Sequence, residues 1–85
     1  MTITILYFSW IKEKVGVGEE TVEVPPDVKT VAQLVDWLKS RSSLHAEAFE
    51  DLTLVRSAVD QTFVSFNTSL GPANEVAFFP PVTGG

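Results

Sequence analysis

The sequence predicts a small α+β domain in which one main helix covers a mixed β-sheet. Two β-rich segments open the chain, a capped amphipathic helix follows, and further short β segments come after it. The length of 85 residues suits one domain, and a hydrophobic content of 45% is high enough for an ordered core. We therefore divide the chain into a folded domain, residues 1–79, and an extended C-terminal tail, residues 80–85.

The first strand is predicted over residues 2–10, where β-branched and aromatic residues dominate. Alternation places Ile3, Ile5 and Tyr7 on one face, which suits a core. The other face begins polar and ends apolar, with Thr2, Thr4, Leu6, Phe8 and Trp10. One or two helical turns are predicted next, ended by glycine, and residues 19–24 then alternate as a second strand that forms a hairpin with the first.

The main helix is predicted over residues 30–41. Thr30 can cap its N-terminus, and Gln33, three residues further on, completes a capping box. One apolar stripe runs along it, formed by Val31, Leu34, Val35 and Leu38. Residues 44–52 predict a short second helix that holds the only histidine, His45. The acids near His45 lack the spacing of a metal site, so we interpret them and His45 as a solvated surface.

Three short strands complete the predicted sheet: residues 54–59, 63–66 and 75–79. A turn at Asp60 joins the first two, and residues 67–74 form a loop. If the crossover through the main helix is right-handed, the last strand lies parallel to the first in the centre of the sheet. This is the β-grasp, or ubiquitin-like, fold.

Composition excludes several classes of function. The chain has no cysteine, so it has neither thiolate metal ligands nor a cysteine nucleophile, and we expect no metal or cofactor to be bound. A net charge of −5 argues against nucleic acid and anionic membranes as partners. The sequence lacks a membrane-length apolar run and the basic start of a signal peptide, so we expect a cytoplasmic protein.

The C-terminal residues differ from the rest of the chain. Pro80 and Pro81 cannot continue a strand ladder, and Gly84 and Gly85 have no side chains. The last six residues reach at most about 20 Å. A carboxylate on Gly85 can enter a narrow channel and can be activated by ATP as an acyl-adenylate, as in ubiquitin-like modifiers and sulfur carriers. The alternative is a frayed terminus without a function.

Two segments resemble the small subunit of molybdopterin synthase: AVDQTFVSF at residues 58–66 and EVAFFPPVTGG at residues 75–85. Residues 5–8 and 11–16 are similar to that family's first strand and helix. The chain departs from the family at Asp60, where asparagine is usual, and at residues 73–74, where Ala-Asn replaces Gly-Asp. Both departures lie in turns, so they bear on turn geometry and partner contacts.

The resemblance implies a sulfur carrier in molybdenum cofactor biosynthesis that is not catalytic alone. An activating enzyme would adenylate Gly85 with ATP, and a sulfurtransferase would supply the sulfur of a thiocarboxylate. Val82, Thr83 and Gly84 would thread into the large synthase subunit, with which this chain would form a heterotetramer. Cyclic pyranopterin monophosphate would accept the sulfur there. Two alternatives remain: another Gly-Gly carrier or modifier, of the thiamin pathway or of protein conjugation, and an inert β-grasp interaction module.

Strand parity predicts where the large subunit docks. Phe8 faces away from the core side of the first strand, and Ala77 and Phe79 face away from the core side of the last strand. Because these strands are neighbours in a β-grasp sheet, we expect one apolar patch beside the tail. Trp10, Pro80 and Pro81 extend this predicted interface. The alternative is that a loop covers the patch.

Overall fold

One mixed sheet of five strands dominates the computed structural model, which describes residues 1–81. The strands are β1 (Thr2–Tyr7), β2 (Glu19–Glu23), β3 (Arg56–Val59), β4 (Thr62–Val64) and β5 (Glu75–Phe79). The helices are α1 (Ser9–Val15), α2 (Val31–Lys39) and α3 (Ser43–Ala48), and a 3₁₀ turn spans Leu52–Leu54. None of the helices in this part of the chain is long and apolar enough to cross a membrane.

The sheet order is β2-β1-β5-β3-β4, and the β-grasp prediction is confirmed. The central pair, β1 and β5, is parallel, while the other pairs are antiparallel. In the parallel pair, Leu6 lies opposite Ala77 and Tyr7 lies opposite Phe78. The last residues of β1 and β5 therefore lie side by side, at the edge from which Pro80 and Pro81 leave the sheet.

The core lies between one face of the sheet and the helices. Ile3, Ile5 and Tyr7 are buried as alternation predicted, and Val76 and Phe78 of β5 are fully buried beside them. The predicted stripe of α2 is also fully buried: Val31, Leu34, Val35 and Leu38. The capping box is present, because the Thr30 side chain accepts from the Gln33 backbone while the Gln33 side chain accepts from the Thr30 backbone.

The predicted extension of the first strand to Trp10 is wrong. β1 ends at Tyr7, Phe8 is the N-cap residue of α1, and Ser9 takes a left-handed backbone with φ of 57°. Strand alternation therefore stops before Trp10, which lies in α1 and packs, half-buried, against the core.

The interpretation of His45 as solvated is also wrong, because His45 is only 9% exposed. α3 turns this side chain towards the sheet, where Glu20 of β2 lies within hydrogen-bonding distance. A partner 25 residues away in sequence lies outside any local pattern.

Candidate functional site

An apolar groove of about 570 Å³ lies beside the end of β5, where the chain leaves the sheet. We call it the exit groove. It is lined by Leu6, Phe8, Ala58, Gln61, Phe63, Glu75, Ala77, Phe79, Pro80 and Pro81.

The shape of the exit groove follows from the sheet register. Leu6, Ala77 and Ala58 lie side by side on β1, β5 and β3, on the face opposite the core. Two of these three side chains are alanine, so the floor is low. The rings of Phe8 and Phe63 stand on either side of it, and Phe63 contacts Phe79 with 5.2 Å between ring centroids. Small residues between large ones thus make the surface concave.

The walls of the exit groove expose large aromatic side chains. Phe8 is 48% exposed and Phe63 is 76% exposed, so no loop in residues 1–81 covers them. An exposed aromatic cluster on a small protein is typical of a protein interface. The groove therefore has the character of a docking surface.

The predicted patch is mostly brought together by the fold. Phe8, Ala77, Phe79, Pro80 and Pro81 all line the exit groove. Trp10 does not line it, since α1 carries Trp10 onto the core. Whether these residues contact a partner stays a prediction.

Sequence reasoning missed Phe63, the most exposed of the large apolar side chains in the described residues. The sequence feature that sets the position of Phe63 is the turn at Asp60 and Gln61. In the structure these two residues have φ values of 46° and 71°, which fit a two-residue hairpin loop. This turn pairs Val59 with Thr62 and Ala58 with Phe63. Phe63 therefore lies beside Ala58 on the groove face of the sheet. Strand parity alone does not predict this position.

Asp60 connects the hairpin of β3 and β4 to the start of β5. Its Oδ1 atom accepts hydrogen bonds from the backbone N–H groups of Asn74 and Glu75, both at 3.0 Å. The hairpin that carries Phe63 is thereby tied to the start of β5. Aspartate fills this role without strain, because aspartate and asparagine both tolerate a left-handed backbone.

The remaining predicted site residues, Val82, Thr83, Gly84 and Gly85, lie outside the described residues. Within residues 1–81, no group of three or more acidic, histidine or cysteine side chains is placed to hold a metal ion. The candidate site of the described chain is thus the exit groove at the base of the tail.

A model of the ThiS family matches residues 5–85. The chain belongs to the ThiS family. Among curated relatives of this ThiS-family chain, the molybdopterin synthase sulfur carrier subunit of Escherichia coli strain K12 is 45% identical over 83 residues. That match covers 98% of this chain and 99% of the relative. The resemblance to small subunits of molybdopterin synthase is confirmed.

Solved structures share the fold along nearly the whole chain. A putative molybdopterin converting factor subunit 1 from Pyrococcus furiosus gives a TM-score of 0.77 at 28% identity, covering 96% of this chain and 99% of its own. A structure described as the complex of subunits 1 and 2 of molybdopterin-converting factor from Helicobacter pylori gives a TM-score of 0.63 at 22% identity. It covers all of both chains, and at this identity it supports the fold alone.

Proposed function

We propose that this chain is a sulfur carrier for molybdopterin synthesis and acts as the small subunit of molybdopterin synthase. The observation that carries the proposal is the exit groove, an exposed aromatic surface at the base of a tail that ends in Gly84-Gly85. The carrier names of the curated relatives support the same function.

The exit groove and the C-terminal tail have different roles in the proposed function. The exit groove binds the large subunit. Pro80 and Pro81 line this groove directly after β5, where proline cannot continue the hydrogen bonds between strands. Val82, Thr83 and Gly84 then pass into the partner's active site, and Gly84 offers no side chain to a narrow channel.

The chemistry takes place on the carboxylate of Gly85. An activating enzyme joins this carboxylate to AMP, using ATP and releasing pyrophosphate. A persulfide from a sulfurtransferase displaces AMP, and cleavage of the S–S bond by a thiol leaves the thiocarboxylate. In the large subunit the thiocarboxylate sulfur attacks a carbon of cyclic pyranopterin monophosphate and displaces an oxygen substituent from it. Water then hydrolyses the bond between the sulfur and the Gly85 acyl group, which restores the Gly85 carboxylate and leaves the sulfur on the pterin, and a second such transfer completes the dithiolene. The chain has no cysteine that could hold the sulfur, and we place it on the Gly85 carboxylate, as the resemblance to the carrier family implies.

Mass spectrometry of the intact protein tests this chemistry. After incubation with the activating enzyme, ATP and a persulfide donor, the intact protein should gain the mass difference between sulfur and oxygen. Deletion of Gly85 should abolish sulfur transfer while circular dichroism stays unchanged, because Gly85 has no side chain to contribute to a core. A deletion variant that still transfers sulfur would contradict the proposal, and conjugates to lysine would favour a protein modifier.

Alanine variants of the groove walls test the docking role. Phe8→Ala and Phe79→Ala should each weaken binding of the large subunit by about 1–3 kcal/mol, the range of an aromatic interface anchor. Leu44→Ala is the matched control, because Leu44 is 49% exposed, close to the 48% of Phe8, but does not line the groove. Calorimetric titration and thermal unfolding separate binding from stability. If the two groove variants lose stability but bind normally when folded, docking takes place elsewhere.

A further inference from the structure

A polar cluster lies on the opposite face of the sheet from the exit groove. Its centre is Glu20 of β2, whose Oε2 atom lies 2.7 Å from the Tyr7 hydroxyl and 2.7 Å from Nε2 of His45. Arg41 approaches the other oxygen, Oε1, at 3.7 Å. We call Tyr7, Glu20 and His45, with Arg41 and Ser42 around them, the Glu20 cluster.

The hydrogen bonds of the Glu20 cluster are mutually consistent. A carboxylate only accepts, so the Tyr7 hydroxyl and the Nε2–H of His45 both donate to Glu20. Nδ1 of His45 lies 2.7 Å from Oγ of Ser42, which also caps α3 by accepting from the His45 backbone N–H. The cluster therefore joins β1, β2 and the start of α3.

The titration of Glu20 and Tyr7 agrees with these roles. Burial raises the pKa of Glu20, but the hydrogen bonds from His45 and Tyr7 and the charges of His45 and Arg41 outweigh burial, so the pKa of Glu20 is lowered. Burial and the bond to Glu20 raise the pKa of Tyr7 above its usual range. Glu20 is thus kept as an acceptor and Tyr7 as a donor.

Tyr7 connects the Glu20 cluster to the exit groove. Its ring stacks on Phe78, with centroids 6.4 Å apart and an interplanar angle of 20°. The Phe8 N–H donates to the Phe78 carbonyl at 3.1 Å. Phe8 and Phe79 follow Tyr7 and Phe78 by one residue, and both of them line the groove.

We propose that Glu20 is a positioning residue for partner docking, because it fixes Tyr7 and thereby the pair Phe8 and Phe79 on the other face of the sheet. The inference rests on the proposed function, since it takes the exit groove as the docking surface. Glu20 then has a role beyond folding, because it sets the positions of interface residues that it does not itself contact.

The chain offers a matched control at the far end of the same two strands. There Glu23 of β2 accepts from the Thr2 hydroxyl of β1, as Glu20 accepts from Tyr7. Glu23→Ala removes the same kind of cross-strand bond at a residue that does not line the groove. Glu20→Gln is the conservative variant, because its amide oxygen can still accept from both Tyr7 and His45.

The test measures the affinity for the large subunit of molybdopterin synthase at a temperature where every variant is folded. We expect Glu20→Ala to bind about 2- to 30-fold more weakly than the wild type, the range found for residues that modulate binding without touching the ligand. Glu20→Gln and Glu23→Ala should bind within about twofold of the wild type. Amide chemical shifts of Phe8, Phe78 and Phe79 should move in Glu20→Ala and not in Glu23→Ala.

Wild-type affinity in Glu20→Ala, with unmoved amide shifts at the groove, would overturn the positioning role. If Glu20→Ala does not fold, Tyr7→Phe decides, because it removes the hydroxyl and keeps the stacked ring; unchanged affinity there overturns the inference equally. A wild-type chain that does not bind the large subunit overturns the proposed function, and the inference with it. A bound wild type with unaffected cluster variants overturns the inference alone.

Discussion

At the scale of single residues, Asp60 links a turn to the shape of the groove. It takes a left-handed backbone, and the same side chain accepts two backbone N–H groups at the start of β5. The turn sets the register that brings Phe63 onto the groove face, and the two hydrogen bonds tie that hairpin to β5. The usual asparagine of the resembled family can do the same through its side-chain oxygen.

Substitution of Asp60 tests both contributions. Asp60→Ala should lower the free energy of unfolding by about 1–3 kcal/mol, since it loses two hydrogen bonds and places a Cβ without a polar group in a left-handed conformation. Asp60→Asn should stay within about 0.5 kcal/mol of the wild type, because the acceptor and the tolerance for this backbone remain. Urea unfolding measures both variants. Equal stability of Asp60→Ala and the wild type would show that the turn does not depend on this side chain.

At the scale of elements, the structure could be predicted where the signals are local. The start of α2 was predicted because Thr30 and Gln33 carry the whole capping box within four residues. The start of α1 was not, since Phe8 makes no side-chain cap and only the backbone of Ser9 marks the end of the strand. His45 is buried with its ring within hydrogen-bonding distance of Glu20, 25 residues away in sequence, so the periodicity of α3 alone does not predict this contact.

The capping box of α2 yields a stability prediction. Thr30→Ala should lower the free energy of unfolding by about 1 kcal/mol, because the N–H of Gln33 loses its acceptor. Gln33→Ala should also destabilise, since the Gln33 side chain accepts from the backbone of Lys29 at 2.7 Å and of Thr30 at 3.2 Å. Gln33→Glu keeps an acceptor and should retain stability. Chemical denaturation checks the order, and a Thr30→Ala variant as stable as the wild type would contradict it.

At the scale of the whole molecule, the two faces of one sheet serve two purposes. The helices cover the face with Ile3, Ile5 and Phe78, while the other face presents the exit groove. Strand parity was enough to place Phe8, Ala77 and Phe79 on the second face. It did not give Phe63 or the low alanine floor, because those depend on which strands lie next to each other and in which register.

The charge of the molecule leads to a kinetic prediction. The chain carries 11 acidic and 6 basic residues, and Glu75 lies in the wall of the exit groove itself. If the large subunit presents a basic surface to this groove and tail, long-range attraction speeds the encounter. The association rate constant should then fall on the order of tenfold between about 0.01 M and 0.15 M salt, as the Debye length shortens, with a smaller change in the dissociation rate.

Two neutralising variants locate the source of this attraction. Glu75→Gln should lower the association rate and its salt dependence, because Glu75 lies in the groove. Glu47→Gln removes the same charge from the exposed side of α3, across the sheet from the groove, and should have a smaller effect, since screening weakens attraction over such a distance. Stopped-flow or surface-based kinetics at the two salt concentrations measure both variants. Association rates that do not change with salt would show that docking is governed by the apolar groove without electrostatic steering.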